Sequence, residues 1–244
     1  MKEERFFYDH QVSGELPQEE AHHALKVLRL QVGDEIRLMD GKGTFYCATI
    51  TAATGHRCLY QIEEKEPQEP AWAGHLHLAM APTKLMDRVE WFAEKATEIG
   101  FDELTFLDTQ FSERKVVKEE RIDKILISAV KQSHKAFKPQ LNGMQRFRDF
   151  IKQEREGDKF ICHCYEMTTD NGQQTTDKPV LMDVLKPGVS STVLIGPEGD
   201  FSTDEVKLAL ENGYQSVSLG RSRLRTETAA LVAVHMMQLK NMLH

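Results

Sequence analysis

The chain has 244 residues, 40% hydrophobic and 28% charged, with a formal net charge of -7. With a mean hydropathy of -0.47, this is the composition of a globular protein large enough for one big core or two smaller ones. No apolar run reaches the about eighteen residues of a membrane helix, and the acidic start Met1-Lys2-Glu3-Glu4-Arg5 lacks the apolar core of a signal peptide, so a cytoplasmic protein is expected. An acidic chain of this kind does not grip nucleic acid by bulk charge, although a local basic surface remains open to it.

The first seventy residues read as β-rich. A helical pattern over Glu19–Arg29 puts Ala24, Leu25 and Leu28 on one side. The segments 33–40 and 44–50 form two strands around a glycine turn, Gly41-Lys42-Gly43, and 58–62 is a third strand. Several short strands with one helix predict a small barrel. Glu63–Pro70 is charged, contains two prolines and has no apolar period, so it reads as a linker and sets the domain boundary at residue 70.

Strands and helices then alternate, which predicts an α/β domain with a mostly parallel sheet over 71–244. His75–Ala81 is a strand. Asp87–Gly100 is a helix with Val89, Phe92, Ala93 and Ala96 on its apolar face and Gly100 at its end. Residues 104–107 form a strand and Glu119–Phe137 a long helix. Arg114–Lys138 carries eight Lys and Arg against three Asp and Glu, a solvated face or a basic surface. Lys159–Tyr165 reads as a strand, and its alternation makes Cys162 and Cys164 buried thiols in preference to metal ligands. Val193–Gly196 is a strand, Ser202-Thr203-Asp204-Glu205 a capping box opening a helix that closes at Gly213, 217–219 the last strand, and 226–243 the last helix.

Two segments sit where an open α/β sheet binds ligands, at the carboxyl ends of strands. Gly196-Pro197-Glu198-Gly199 makes a tight turn whose backbone can approach a ligand closely, and the turn itself has no need of a carboxylate at Glu198. Leu219-Gly220-Arg221-Ser222-Arg223-Leu224-Arg225-Thr226-Glu227 sets three arginines in a loop ahead of a helix, with Thr226 as the expected N-cap. Such a cluster is either solvated, paired with Glu227, or built for phosphate or carboxylate. The chain has no P-loop, no G-x-G-x-x-G after a strand, no G-x-S-x-G and no H-E-x-x-H.

The pairing of Gly196-Pro197-Glu198-Gly199-x-Phe201-Ser202-x-x-Glu205 with Leu219-Gly220 and Leu224-Arg225-Thr226-Glu227-Thr228-Ala229 resembles the RsmE-type 16S ribosomal RNA uridine-N3 methyltransferases of the SPOUT class. Arg5-Phe6-Phe7, His23-x-x-x-Val27-Leu28-Arg29, Lys84, Lys95–Gly100, Gln132-Ser133 with Pro139, and Tyr165-Glu166 fit the same pattern in order along nearly the whole chain. The chain departs from it at Asp200, where the family usually has a second glycine, at Arg221-Ser222-Arg223, and at Lys131 and Lys135.

The resemblance implies a PUA-like, RNA-binding β-barrel over 1–70 and a trefoil-knotted SPOUT domain over 71–244. It implies S-adenosylmethionine as cofactor, 16S ribosomal RNA in the small subunit as substrate, a homodimer and no membrane. Carried onto this chain, the cofactor pocket is Tyr165, Glu166, Gly196, Pro197, Glu198, Gly199, Leu219, Gly220, Ser222 and Leu224. Uridine N3 reacts only once its proton leaves and charge spreads over O2 and O4, so Arg225 is expected to stabilise that charge and Glu227, the nearest carboxylate in sequence, to take the proton or orient Arg225. Arg5, Arg29, Lys84, Arg114, Lys115 and Lys135 are the RNA contacts, and no metal is expected. Two alternatives are a SPOUT enzyme acting on another RNA position and an RNA-binding assembly factor without catalysis, the latter favoured by Asp200 alone.

Overall fold

A computed structural model describes residues 6–165, 167–168, 174–175 and 178–242. It divides into two compact units. One comprises the chain up to Ala71 together with Leu126–Lys138, the other Trp72–Ile125 and Pro139 onward.

In the first unit, strand β1 (Phe6–Tyr8) lies parallel to β2 (Glu35–Met39), which pairs antiparallel with β3 (Thr44–Thr54), itself antiparallel to β4 (Arg57–Pro67). Alternate residues Tyr46, Ala48 and Ile50 of β3 turn inward onto Phe7, Ile36, Leu38 and Tyr60. Register shifts after Cys47 and Ile50 bend the long β3–β4 ribbon. Ala21, from a short helix α1 (Gln18–His22), and Ala24, from the turn that follows it, close this core. The regular helix expected through Arg29 gives way to a π-helical turn over His23–Val27, where Leu28 N–H reaches His23 O. Exposed Arg29 then takes a left-handed φ of 56°.

The expected linker is shorter than the sequence suggests, because β4 continues to Pro67. Residues Glu64 to Pro67 pair with Cys47 to Thr44. Their charges point to solvent or form cross-strand ion pairs (Arg37 holds both Glu66 oxygens at 2.7 and 2.9 Å), so the ladder sustains a strand that burial patterning cannot reveal.

The second unit is built on a parallel sheet in the order β12-β8-β11-β5-β6-β7. Its strands are β5 (Leu76–Met80), β6 (Glu103–Asp108), β7 (Gln140–Arg146), β8 (Asp158–Cys162), β11 (Ser191–Ile195) and β12 (Gln215–Val217). A two-stranded ribbon, β9 (Met167–Thr168) with β10 (Gln174–Thr175), follows β8. The central strands β5 and β11 are buried at every position, as the apolar runs of a doubly covered parallel sheet require. Helices α2 (Met86–Ile99) and α7 (Thr226–Met242) pack together, with α7 also against β5 and β11. On the other face, α4 (Phe147–Ile151) and α6 (Thr203–Glu211) share a core of Phe147, Phe150, Phe201 and Val206 with Ala79, Ile161 and Leu194 of the sheet. Helix α3 (Glu119–Gln132) starts in this unit and ends in the first, and α5 (Leu181–Val184) is a single turn.

The apolar face of α2 is buried as expected, and Gly100 ends it with φ 116°. Ser202 and Glu205 form the reciprocal capping box of α6. Helix α3 is shorter than expected, ending at Gln132 before His134 turns left-handed with φ 52°. Strand β12 lies two residues ahead of its expected position. The fold thus combines a small four-stranded β unit with a parallel α/β unit.

Candidate functional site

Because β12, β8 and β11 are neighbours, the loops leaving their carboxyl ends lie side by side. These loops carry Tyr165, then Gly196–Gly199, then Leu219–Leu224. The motifs singled out along the chain therefore converge on one edge of one sheet.

The Gly196–Gly199 turn is braced from several sides. Gly196 lies so close to Phe201 that a Cβ there would stand 3.0 Å from the Phe201 nitrogen, and a Cβ on Gly199 would meet the Phe111 side chain at 3.2 Å. Pro197 is buried. Glu198 Oε1 accepts the backbone N–H of Lys84 at 3.0 Å, while the Arg114 guanidinium donates to the carbonyls of Thr83 and Lys84. The segment joining β5 to α2 is thus clasped by its amide and its carbonyls together.

Asp200 stands in the left-handed region with φ 65°. Asx residues tolerate that region better than other non-glycine residues, which explains how Asp stands where glycine is usual. Its Oδ2 accepts Cys164 N–H and its Oδ1 accepts Phe201 N–H, both at 2.8 Å.

The loop after β8 is also held from below. The Lys178 ammonium donates to the carbonyls of His163 and Tyr165. Burial lowers its pKa from the usual lysine value. His163 is buried against Ser216 at 2.7 Å, and burial, with the Lys178 charge beside it, pushes its pKa down to about 4. The structure corrects the expectation of two buried thiols: β8 ends at Cys162, so its alternation stops there, leaving Cys162 half-buried and Cys164 exposed. Burial raises the pKa of the Cys164 thiol and the Asp200 charge adds to the rise, so it is a poor nucleophile.

In the third loop, Gly220 has φ 118° and open space around its missing side chain. Leu219 and Leu224 are half-buried, Ser222 and Arg225 exposed. Among the described residues, the backbone from Arg221 to Leu224 makes no hydrogen bond to other backbone groups. Helix α7 begins at Thr226, so Arg225 takes the N-cap place expected of Thr226, its carbonyl accepting Ala229 N–H at 2.7 Å.

Glu227 is buried, its Oε1 3.8 Å from Arg88 Nε and its Oε2 without a partner. Arg88, on α2, is a neighbour that sequence order could not reveal. The same holds for Lys178 and for Phe111, an exposed aromatic against Gly199.

The basic residues are dispersed. Lys115 bonds Asp108 at 2.6 Å, Lys84 pairs with Glu113 at 2.7 Å, and Arg121 with Glu90 at 2.6 Å. In the first unit Lys131 pairs with Glu20 at 2.6 Å, and half-buried Lys135 has its pKa lowered by burial. Arg5 and Glu166 lie outside the described residues. Among the described residues, Cys47, Glu64 and Glu66 bring metal-ligand atoms together, but Arg37 donates to Cys47 Sγ and Glu66 and supplies the cation there.

Residues 70–238 match the family model of the RNA methyltransferase domain, and 16–63 match that of the RNA methyltransferase PUA domain. The architecture and its loops are thus those of an RNA methyltransferase. The chain is similar to the crystal structure of a probable rRNA-methyltransferase from Porphyromonas gingivalis, at 39% identity and TM-score 0.87, covering 96% of this chain and 98% of that one. It is similar to a ribosomal RNA small subunit methyltransferase E from Neisseria gonorrhoeae bound to S-adenosyl methionine, at 27% identity and TM-score 0.82, covering 97% of each. A ribosomal RNA small subunit methyltransferase E of Aquifex aeolicus is 32% identical over 180 residues, 71% of each chain. The chain belongs to the ribosomal RNA small subunit methyltransferase E family.

Proposed function

We propose that the protein transfers a methyl group from S-adenosylmethionine to N3 of a uridine in 16S ribosomal RNA of the small subunit. The observation that carries this reading is the convergence of Tyr165, Gly196–Gly199 and Leu219–Leu224 at the carboxyl ends of β8, β11 and β12. The residues present suit the cofactor. A side chain at Gly196 would crowd Phe201, Leu219 and Leu224 offer apolar surface, and among the described residues the Arg221–Leu224 backbone makes no bond to other backbone groups, leaving polar groups for an adenosine. When bound, the cofactor supplies an electrophilic methyl on a sulfonium.

Uridine N3 becomes nucleophilic once its proton leaves and charge spreads over O2 and O4. Arg225, exposed at the head of α7, is assigned to hold that charge. The proton goes to Glu227, whose unpartnered Oε2 lies two residues further on. Arg88 Nε stands 3.8 Å from the other carboxylate oxygen of Glu227. Arg29, Lys84 and Lys115 are kept as RNA contacts, and Arg114 acts from behind by holding the Lys84 backbone.

A homodimer accompanies this reading. Helix α7 is apolar around its circumference, with Leu231, Val232, Met236 and Leu239 half-buried, and α2 beside it exposes Trp91. Among the described residues, buried Gln238 Nε2 on α7 lacks a partner, as a group awaiting a second copy would. Sedimentation of the whole chain tests it, and a monomer at micromolar concentration rejects it.

Asp200 gives no support to the assembly-factor alternative, since it closes the loop in place of glycine. The deciding experiment is methyl transfer from labelled S-adenosylmethionine to small subunits lacking their own methyl marks, followed by nucleoside mass analysis. Finding 3-methyluridine supports the proposal, another methylated nucleoside overturns its specificity, and no incorporation overturns the activity.

A further inference from the structure

Several basic residues of the Arg114–Lys138 segment are engaged, and a further set of cations lies on α4. Helix α4 and its two caps carry Arg146, Arg148 and Lys152, all exposed and, among the described residues, without a hydrogen-bonding or ion-pair partner. They line a groove of about 680 Å³ between α4, α6 and the loop after β6, whose other walls include Lys115, Ser202 and Lys207.

Carboxylates also line this groove, but most are engaged. Asp108 is bonded to Lys115, Glu205 binds the amides of Gln110 and Ser202, and Glu211 lies 4.0 Å from Lys207. Glu205 keeps its charge, since the amides bonded to it are neutral, so Asp204 and Glu205 together face the three unpaired cations and the lining as a whole carries five cations against four carboxylates. Arg148 and Lys152 are moreover four apart, a like-charged spacing that is unfavourable on a helix until an anion lies between them. An acidic chain has thus set a small excess of positive charge at the carboxyl ends of β6 and β7.

The groove adjoins the candidate site along the chain. Its wall residues Thr109 and Gln110 lead directly into Phe111, which packs on Gly199, and Ser202 ends the segment begun by Gly196. We propose that this groove binds the phosphate backbone of the substrate RNA through Arg146, Arg148 and Lys152, flanking the nucleotide presented beside Gly199. The assignment rests on the reading of the protein as an RNA methyltransferase, and its three unpaired cations lie outside the Arg114–Lys138 segment. Backbone contacts of this kind position RNA without reading its sequence.

The test measures binding of 16S ribosomal RNA and of methyl-deficient small subunits across a salt series, for the wild type, R146Q/R148Q/K152Q, and K186Q as a control before β11. All three side chains are exposed, so the triple variant keeps its fold, which an unchanged melting temperature verifies. Losing three phosphate contacts lowers the slope of log K against log salt by about 2 to 3. Affinity near physiological salt falls about tenfold or more, and KM for RNA rises with it. The constant for S-adenosylmethionine and kcat at saturating RNA stay at wild-type values, and K186Q leaves the slope unchanged.

An unchanged slope in the triple variant overturns the groove assignment, whether or not the wild type transfers methyl. Failure of the wild type to transfer methyl overturns the functional reading instead, because the binding readout needs no turnover. If inorganic phosphate displaces RNA far better than chloride at matched ionic strength, the groove takes a free anion and the RNA assignment falls.

Discussion

Asp200 accepts the backbone N–H of Cys164 at 2.8 Å across 36 residues of chain, joining the loop after β8 to the loop after β11. Those are two of the three loops assigned to the cofactor, so the bond holds part of the pocket closed before any ligand arrives. Preorganisation of this kind appears as affinity.

Asp200→Gly separates two roles of this residue. Glycine accepts the left-handed φ of 65° without strain but cannot make the bond. Its melting temperature is expected within a few degrees of wild type, while affinity for S-adenosylmethionine falls severalfold and the Cys164 amide exchanges faster. Asp200→Ala loses the bond and adds about 1–2 kcal/mol of left-handed strain, so its stability falls as well. Calorimetry and hydrogen exchange check this. A glycine variant that binds cofactor at wild-type strength, with Cys164 still protected, would show that the bond is idle.

These particulars mark what was legible in the sequence. The glycines at 196, 199 and 220 and the Ser202–Glu205 box announce themselves, because turn and cap chemistry is local. The partners of Glu227 and Cys164, which are Arg88 and Asp200, depend on which strands become neighbours, and adjacent positions carry no trace of that. Strand β7 and helix α4 escape sequence reading for another reason. Every residue of β7 is at least partly exposed, so no alternation marks it, and α4 spans only five residues. The groove cations were passed over with them. Glu63–Pro67 errs the other way, since a charged strand held by its ladder looks like a linker.

A buried histidine on β5 governs acid stability. His77 is 1% exposed, bonded to Thr105 at 2.8 Å, and burial pushes its pKa down to about 3. Its folded pKa lies below the unfolded value of 6.5, so the unfolded chain takes up a proton that the folded one refuses between those values. Stability therefore falls as pH drops below about 6.5, with a slope approaching about 1.4 kcal/mol per unit from this residue. Burial raises the pKa of Glu103, but hydrogen bonds from His75 and Asn142 outweigh it, so stability is lost further as pH falls through the carboxylate range. Half-exposed His75, raised by its bond to Glu103, opposes this weakly, its contribution disappearing as pH rises through its folded pKa. Urea unfolding at pH 7, 6 and 5 should show the decline, and His77→Gln should reduce its slope between pH 6.5 and 5, buried His163 supplying part of the remainder. An identical slope in the variant would remove His77 as the cause.

At the head of α7, three substitutions distinguish charge stabilisation, proton acceptance and positioning. Arg225→Ala is expected to abolish most methyl transfer while leaving cofactor affinity intact, since Arg225 is exposed beyond the half-buried Leu224. Glu227→Gln removes the proposed base and should lower kcat about 10²–10⁴-fold. Arg88→Gln leaves the carboxylate in place but takes away the cation 3.8 Å from it, so kcat falls less than in Glu227→Gln. Steady-state kinetics over pH 5–9 decide among them. Unchanged kcat in Glu227→Gln would reduce that residue to a structural role, and wild-type turnover in Arg225→Ala would remove the proposed charge stabiliser.

Gly196 and Gly220 lack side chains for different reasons, and replacing each with alanine tells them apart. At Gly196 the obstacle is space: the new methyl would stand 3.0 Å from the Phe201 nitrogen and 3.1 Å from its ring, against a residue in the α4–α6 core. Phe201 is fully buried and cannot retreat, so Gly196→Ala should shift the whole loop, costing about 1–3 kcal/mol as overpacking does. At Gly220 nothing lies within 4 Å, but φ is 118°, which an L residue rarely adopts. The third loop should then relax locally instead of straining the core. Gly220→Ala is accordingly expected to melt near the wild-type temperature while losing most S-adenosylmethionine affinity, whereas Gly196→Ala loses both. Differential scanning calorimetry with and without the cofactor reads the two effects separately. Full cofactor-induced stabilisation in Gly220→Ala would take the Leu219–Leu224 loop out of the pocket.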